Sequence, residues 1–318
     1  MNRAAYKSMR WRQLSLGLTV ALSAQLGCAM EGNTDPDCAG DKCDIFGTDD
    51  RLDWSEMPAG AMASGVGKTW RAIASDSVVA LASLESTNKL LAGSPPLRTD
   101  VGICADAKFA QQPAVSFCTG ILVADDLILT NRHCLETSLS DIRILFNYRM
   151  EGESALAPIE VREPVEVVDS GYRKGEQDYA LIRLDRNAPP NQVPHTWIRW
   201  HDNAEDNELV NLISHPMGLP QKFTLGAVRS SADKRFEHTA ATQAGSSGAP
   251  VFDDEGFLIG IHTWSPPGGG TENDLERDCL IEVINEQPTS SSNGAQHVTE
   301  VLDSYCSTAS ASPELCTG

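Results

Sequence analysis

Ala244-Gly245-Ser246-Ser247-Gly248-Ala249-Pro250-Val251-Phe252, then Asp253-Asp254-Glu255-Gly256, then Phe257-Leu258-Ile259-Gly260-Ile261-His262-Thr263-Trp264, is the stretch from which the fold can be read. A glycine-rich turn runs into a short apolar strand. Four turn-forming residues follow, and an apolar run returns, which is the pattern of a β-hairpin. Upstream, residues 116–123 and 127–130 flank Ala124-Asp125-Asp126 as a second hairpin. Residues 142–146, 160–168, 178–184, 209–214 and 222–228 add further strands. Many short strands separated by turn signals indicate a sandwich or a barrel. The proline-rich run from Ala188 to Pro194 interrupts this pattern as a linker between two β units. Val298, Val301, Leu302 and Tyr305 recur at i, i+3, i+4 and i+7, one apolar face of a terminal helix. Val78 to Leu84 fits a strand or a helical turn, and periodicity does not choose between them.

The chain has 318 residues, enough for one large all-β domain with tails or for two modest domains. Arg3, Lys7, Arg10 and Arg12 precede an uncharged apolar stretch, Leu14 to Leu26, that is too short to cross a bilayer. Residues 1–27 therefore read as a secretory signal peptide. Leu26-Gly27-Cys28-Ala29 resembles a bacterial lipoprotein cleavage box in which Cys28 is lipidated. Gln25 stands where an aliphatic residue is usual, and ordinary cleavage near Ala21-Leu22-Ser23 is the alternative. The product is exported, as a cell-envelope lipoprotein or a secreted protein, and touches a membrane only through that lipid. Removing Cys28 from nine cysteines leaves an even number, suited to disulfides in an oxidising compartment.

Residues 1–27 hold four basic groups and no acidic ones, so the remainder carries a net charge of −23 with histidine neutral. That surface argues against nucleic acid as a partner and repels anionic headgroups. Residues 28–69 read as a tether or N-terminal extension, with 29–50 a solvated linker pinned by a local Cys38–Cys43 bridge. A calcium loop starting at Asp35 is rejected because Phe46 stands where its closing Glu belongs. A phosphate loop at Gly67-Lys68-Thr69 is rejected because Met62 replaces its first glycine.

A serine hydrolyses a peptide bond when a base takes its proton, a carboxylate fixes the base's tautomer, and backbone N–H groups meet the developing oxyanion. Three segments hold these parts in chain order. They are Leu129-Thr130-Asn131-Arg132-His133-Cys134, Gln177-Asp178-Tyr179-Ala180-Leu181, and the glycine turn around Ser247. Alone, a His beside a Cys is ordinarily structural, an Asp opening a strand is a cap, and Gly-Ser-Ser-Gly is a loop. Together, on β-like segments, they form a constellation.

The first segment resembles the Thr-Ala-Ala-His-Cys region of the chymotrypsin-like serine peptidases. The second resembles their Asp-x-Ala-Leu strand. The third resembles their Gly-Asp-Ser-Gly-Gly-Pro loop, in the Gly-x-Ser-Gly-x-Pro form of bacterial members. The order His, Asp, Ser is also the family's. The resemblance covers about residues 70–305. It implies an all-β fold of two packed six-stranded antiparallel β-barrels with a C-terminal helix. Barrel 1 would occupy about 70–188, barrel 2 about 195–295 and the helix about 296–305, with a Cys-bracketed tail over 306–318. It implies His133, Asp178 and Ser247 as the triad in the cleft between barrels, and the N–H groups of Gly245 and Ser247 as the oxyanion hole.

The resemblance further implies a Cys118–Cys134 disulfide that staples the histidine loop, worth ~3 kcal/mol of chain entropy. The other six cysteines allow fifteen connectivities. Local Cys38–Cys43 and Cys306–Cys316 bridges would leave Cys104 for Cys279. The family's animal members carry Asp before the nucleophile, where it binds a newly cut N-terminus. Ser246 stands there in this chain, so that ion pair cannot form.

Ala241 falls at the base of the primary specificity pocket, where trypsin-type members carry Asp, and this argues against a preference for Lys or Arg. Thr242, His262 and Ser265 fall where the similar glutamyl endopeptidases hold a substrate Glu, and such binding should follow the protonation of His262. The bland alternative makes His262 a pocket-wall residue. His215, in a His-Pro loop, reads as structural. His195, His201, His238 and His297 show no metal spacing, and the chemistry calls for no metal or cofactor. The resemblance implies a monomer acting on polypeptide substrates. The rival from another class is a catalytically silent relative displayed as a binding module.

Overall fold

The computed structural model describes residues 45–46, 49–57, 69–173, 177–200, 202–265, 270–285, 292–308, 311 and 313–316. The signal reading, Cys28, the Cys38–Cys43 bridge and the glycine–lysine run before Thr69 fall outside the described residues. The first described strand is β1 (Ile45–Phe46). Two caps then settle the ambiguous run near residue 78. The Thr69 hydroxyl accepts from the Ala72 N–H and starts α1 (Trp70–Ser77). The Ser83 hydroxyl accepts from the Ser86 N–H and starts α2 (Leu84–Leu91). Such caps satisfy backbone donors that a helix leaves orphaned. Between them, β2 (Val78–Ser83) is buried on both faces, as a central strand of apolar residues should be.

The first sheet continues with β3 (Ser116–Ala124), β4 (Leu127–Thr130), β5 (Ile142–Phe146), β6 (Glu160–Arg162), β7 (Pro164–Arg173) and β8 (Gln177–Leu184). Its seven strands run in the order β6-β5-β2-β3-β4-β8-β7. The expected first barrel is thus a half-barrel sheet and not a ladder-closed cylinder of six strands. The reason lies at one corner. Only Glu163 separates β6 from β7, so a single bent run pairs with β5 on one side of the corner and with β8 on the other. Pro164 has no N–H to give to a ladder and marks the break.

The second sheet comprises β9 (Leu209–Ser214), β10 (Lys222–Ser231), β11 (Arg235–His238), β12 (Pro250–Phe252) and β13 (Leu258–Trp264). After β14 (Thr271–Asp274), β15 (Cys279–Glu282) and β16 (Ile284–Asn285), it is completed by β17 (Asn293–His297). These six strands form a closed barrel in the order β10-β11-β17-β13-β12-β9. β14 and β15 make a separate hairpin, and β1 pairs with β16. The chain ends in α3 (Val298–Cys306) and α4 (Pro313–Cys316).

Period-two alternation sorts the side chains into separate cores. Leu122, Ile128 and Ile182 point into the first sheet with Ile144 and Phe146. Val210, Leu212, Val251 and Ile259 fill the closed barrel with Phe236. The alternate residues Ile121, Leu129 and Leu181 meet Ile213, Phe252 and Leu258, and Val298, Val301, Leu302 and Tyr305 of α3 join this third core. All of these side chains are buried. At ~1.5–3 kcal/mol for each large apolar side chain removed from water, this core locks the two sheets together.

Three disulfides are present among the described residues: Cys118–Cys134, Cys104–Cys279 and Cys306–Cys316. Residues 49–57 meet the second sheet at β10. Leu52 exchanges two backbone hydrogen bonds of 2.9 Å with Phe223, and the side chains of Arg51 and Asp53 are buried.

Candidate active site

β4 ends at Thr130, and the chain then makes a tight turn over His133–Leu135. The Cys118–Cys134 disulfide ties that turn to β3. Thr130 pairs with Ala180 across the β4–β8 ladder, so Asp178, near the start of β8, lies beside the histidine turn. His133 Nδ1 is 2.6 Å from Asp178 Oδ2, and the His133 backbone N–H donates to Asp178 Oδ1 at 3.1 Å. The Asn131 amide donates to the Asp178 carbonyl at 2.7 Å. The Asp178 N–H donates to Gln296 Oε1 at 3.0 Å, from β17 of the other barrel. Nδ1 is committed to the carboxylate, and Nε2 makes no hydrogen bond among the described residues. The His133 side chain is 33% exposed and that of Asp178 18%, so the pair borders solvent.

The third segment turns through Gly245 (φ 96°) and Gly248 (φ 82°), both in the left-handed region that favours glycine. A Cβ at 245 would lie 2.5 Å from the His215 carbonyl oxygen, and one at 248 would collide with the Thr119 carbonyl and the Thr130 hydroxyl. The turn is therefore pressed onto the end of β4, next to the histidine. The Ser247 carbonyl accepts from the Thr119 N–H at 2.8 Å, and the Thr119 hydroxyl donates to the Gly245 carbonyl at 2.8 Å. The N–H groups of Gly245 and Ser247 donate to no protein group among the described residues. Two unused amides and a half-buried hydroxyl thus share one rim. The Ser247 hydroxyl makes no hydrogen bond to His133 among the described residues. Ser246 is buried, donates to Ser214 Oγ at 3.1 Å and accepts from the Gln243 N–H at 3.2 Å, so a neutral contact stands where the animal members form an ion pair.

Behind the turn, Ala241 and Thr242 are buried. Thr242 Oγ1 lies 3.0 Å from Ser265 Oγ, which lies 3.3 Å from His262 Nε2. His262 Nδ1 lies 3.3 Å from His238 Nε2, and His238 Nδ1 has no partner. Burial pushes His262 well below the usual imidazole range, with His238 and His133 adding to it. Burial pushes His238 down to about 3. Both rings are neutral near pH 7. His215 is buried as well, stacks on Tyr148 and is bound through Nδ1 to the Leu219 carbonyl at 3.0 Å, a structural position. Among the described residues Cys118, His133 and Cys134 lie close enough to share a metal. Their sulfurs are joined in a disulfide, which has no thiolate to offer.

Sequence reasoning missed Gln296, Gln243 and His238. No local pattern marks them, because each acts on a residue distant in the chain. Only the polar character of β17, a strand buried throughout, could have singled out Gln296.

Residues 118–261 match the trypsin-like peptidase domain family. Among solved structures, the chain is similar to the serine endoprotease from Yersinia pestis. The identity is 16% over 75% of this chain and 66% of that one, at a TM-score of 0.46, so the chain spans about two thirds of that protein's length. It is also similar to a Glu endopeptidase in complex with MPD, at 18% identity over 82% of this chain and 96% of that one, with a TM-score of 0.48. The matched residues 118–261 run from the strand before the histidine turn to the strand after the glycine turn, so the part of the chain that is similar to the trypsin-like peptidase domain contains all three segments of the candidate site.

Proposed function

We propose that the chain is an exported serine endopeptidase with Ser247 as nucleophile, His133 as base and Asp178 as the orienting carboxylate, and with a primary pocket that takes a Glu side chain. The observation that carries the reading is the 2.6 Å His133–Asp178 pair beside a turn whose Gly245 and Ser247 amides are unused. Nδ1–H donates to Asp178, so Nε2 holds the lone pair that accepts the Ser247 proton. The serine oxygen attacks the peptide carbonyl carbon, and the oxyanion receives the two amides. His133 then gives its proton to the leaving amine, and water repeats the sequence on the acyl-enzyme. Loss of one oxyanion donor costs ~10²–10³ in rate.

Ala241 brings no charge to the pocket base, while Thr242, Ser265 and His262 line it with O–H and N–H groups. With His238 Nε2–H as donor to His262 Nδ1 across their 3.3 Å contact, His262 would present Nε2–H toward Ser265. Burial makes the neutral ring, and not the imidazolium, the donor to a substrate carboxylate. The disulfides suit an oxidising compartment, and no described helix is long and apolar enough to cross a membrane. Residues 1–27 then direct export and Cys28 carries the lipid, with the chain acting as a monomer on polypeptides.

The test is labelling with a serine-reactive phosphonate, alongside Ser247→Ala, and a peptide-library digest with and without His262→Ala. Labelling of the wild type alone, with cleavage after Glu that His262→Ala abolishes, is the expected result. Absent labelling of the oxidised wild type defeats the catalytic reading and favours the silent binding module. Cleavage without enrichment of Glu defeats the pocket reading alone.

A further inference from the structure

Behind the nucleophile turn lies a set of charged side chains that the peptidase chemistry does not use. Arg51 is fully buried. Its Nε and Nη2 donate to the two Asp49 carboxylate oxygens at 2.7 Å each. Nη2 also donates to Glu282 Oε2 at 2.8 Å, and Nη1 donates to Gln243 Oε1. Glu282 Oε1 accepts from Arg98 Nη2 at 2.7 Å and from Gln243 Nε2 at 2.9 Å. Next to them Lys222 pairs with Asp53, and the Phe109 ring lies under both Arg51 and Lys222. The Cys104–Cys279 disulfide, with hydrogen bonds between Gly102, Cys104 and Leu280, ties the loop of Arg98 to the strand of Glu282.

Gln243 connects this cluster to the turn. Its side chain is held at the oxygen by Arg51 and at the nitrogen by Glu282, so the amide has one orientation. Its backbone N–H donates to Ser246 Oγ at 3.2 Å, and its carbonyl accepts from the Ser246 N–H at 2.9 Å. Gly245 is two residues further on and Ser247 four.

We propose that Arg51 is a positioning residue for the nucleophile turn, acting through Gln243, and that residues 49–53 are a built-in strut of the site and not a removable leader. The inference rests on the assignment of Gly245 and Ser247 given above. Apolar packing could fill a buried volume equally well. A planar guanidinium that grips a carboxylate and an amide at once fixes direction as well as volume. Ser246 leaves the turn without an ion pair of its own, and the chain meets that need with a cation from a segment it already carries. The turn is then set without the creation of a new N-terminus.

The experiment uses the full, disulfide-bonded chain. Active sites are counted with the phosphonate, and kcat and KM per counted site are measured for wild type, Arg51→Met, Arg51→Lys, Gln243→Leu and the double variant Arg51→Met/Gln243→Leu. Arg51→Met should cut kcat about ten- to hundred-fold, as displaced catalytic groups do, with KM within about twofold. Arg51→Lys should recover part of the loss, and the double variant should lose no more than the worse single. A fall in thermal midpoint with kcat per site unchanged, or losses that multiply in the double variant, overturns the proposal. Should Arg51→Met fail to fold, Gln243→Leu, which removes no charge, decides alone, and an unchanged kcat per site counts against the strut. A wild type that takes up no phosphonate overturns the Ser247 assignment and this role with it, whereas a labelled wild type with unaffected variants overturns the role only.

Discussion

Replacing Glu282 with glutamine reads the strength of the buried charge cluster through its response to acid. The Glu282 side chain is 7% exposed and lies between Arg51 and Arg98 at 2.8 and 2.7 Å. Burial alone would raise its pKa, but the two guanidinium groups outweigh burial and hold it at about 2, against an ordinary 4.5. A carboxylate depressed in the folded state gives stability that is present above its unfolded value and is lost as pH falls through the folded one. The window is therefore pH 4.5 down to about 2. At about 1.4 kcal/mol per pH unit, a depression of roughly 2.5 units corresponds to about 3 kcal/mol. Glutamine keeps the shape and one acceptor but cannot ionise, and protonated Glu282 resembles it. Glu282→Gln should thus unfold about 3 kcal/mol more easily than wild type at pH 6, and the difference should shrink toward zero as pH approaches 2. Urea titrations at stepped pH and constant ionic strength measure it, with the disulfides intact. A difference that stays constant from pH 6 to about pH 2.5 would refute the reasoning, because the stabilisation would then not come from the ionised carboxylate.

Gly248→Ala places a Cβ against the Thr119 carbonyl and the Thr130 hydroxyl at a positive φ. It should cost at least ~1–2 kcal/mol from the left-handed backbone alone and slow phosphonate labelling, and an unchanged labelling rate would deny that this turn sets Ser247. Gln296→Leu removes the acceptor of the Asp178 N–H. It should lower stability by ~1–3 kcal/mol and reduce kcat without raising KM, whereas an unaltered kcat would mean that the closed barrel does not hold Asp178. Replacing Cys118 and Cys134 together by alanine opens a loop between residues 16 apart. It should lower unfolding free energy by ~3 kcal/mol in a denaturant titration, and a loss near zero would show that the remaining contacts already restrain the histidine turn.

What the sequence discloses, and what it hides, follows from how each residue is held. Ile142–Phe146 and Leu209–Ser214 have the bounds that their apolar runs announce. β11 and β17 gave no such signal. Arg235-Phe236-Glu237-His238 carries one large apolar residue, and Asn293-Gly294-Ala295-Gln296-His297 is mostly polar, yet all five residues of β17 are buried. Part of each polar side chain finds a partner, although Gln296 Nε2 is buried without one among the described residues. Asn293 donates to the Ala240 carbonyl at 2.9 Å, Gln296 accepts from Asp178, and His297 binds the Ala232 carbonyl at 3.0 Å. Hydrophobic periodicity reports contact with oil, not contact with a matched partner, so such a strand is invisible to it. Residues 49–53 are hidden from it in the same way. A charge-rich stretch reads as solvent-facing, but a charge can be buried once its opposite is beside it. Arg51 and Gln243 meet across 192 positions of sequence, and Arg51 and Glu282 across 231. His133, Asp178 and Ser247 stand out as candidates for the opposite reason: their neighbours in the chain, a cysteine, a strand and two glycines, form local motifs. The candidate site thus lies in local motifs, while the charge pairing behind it joins residues that only folding brings together.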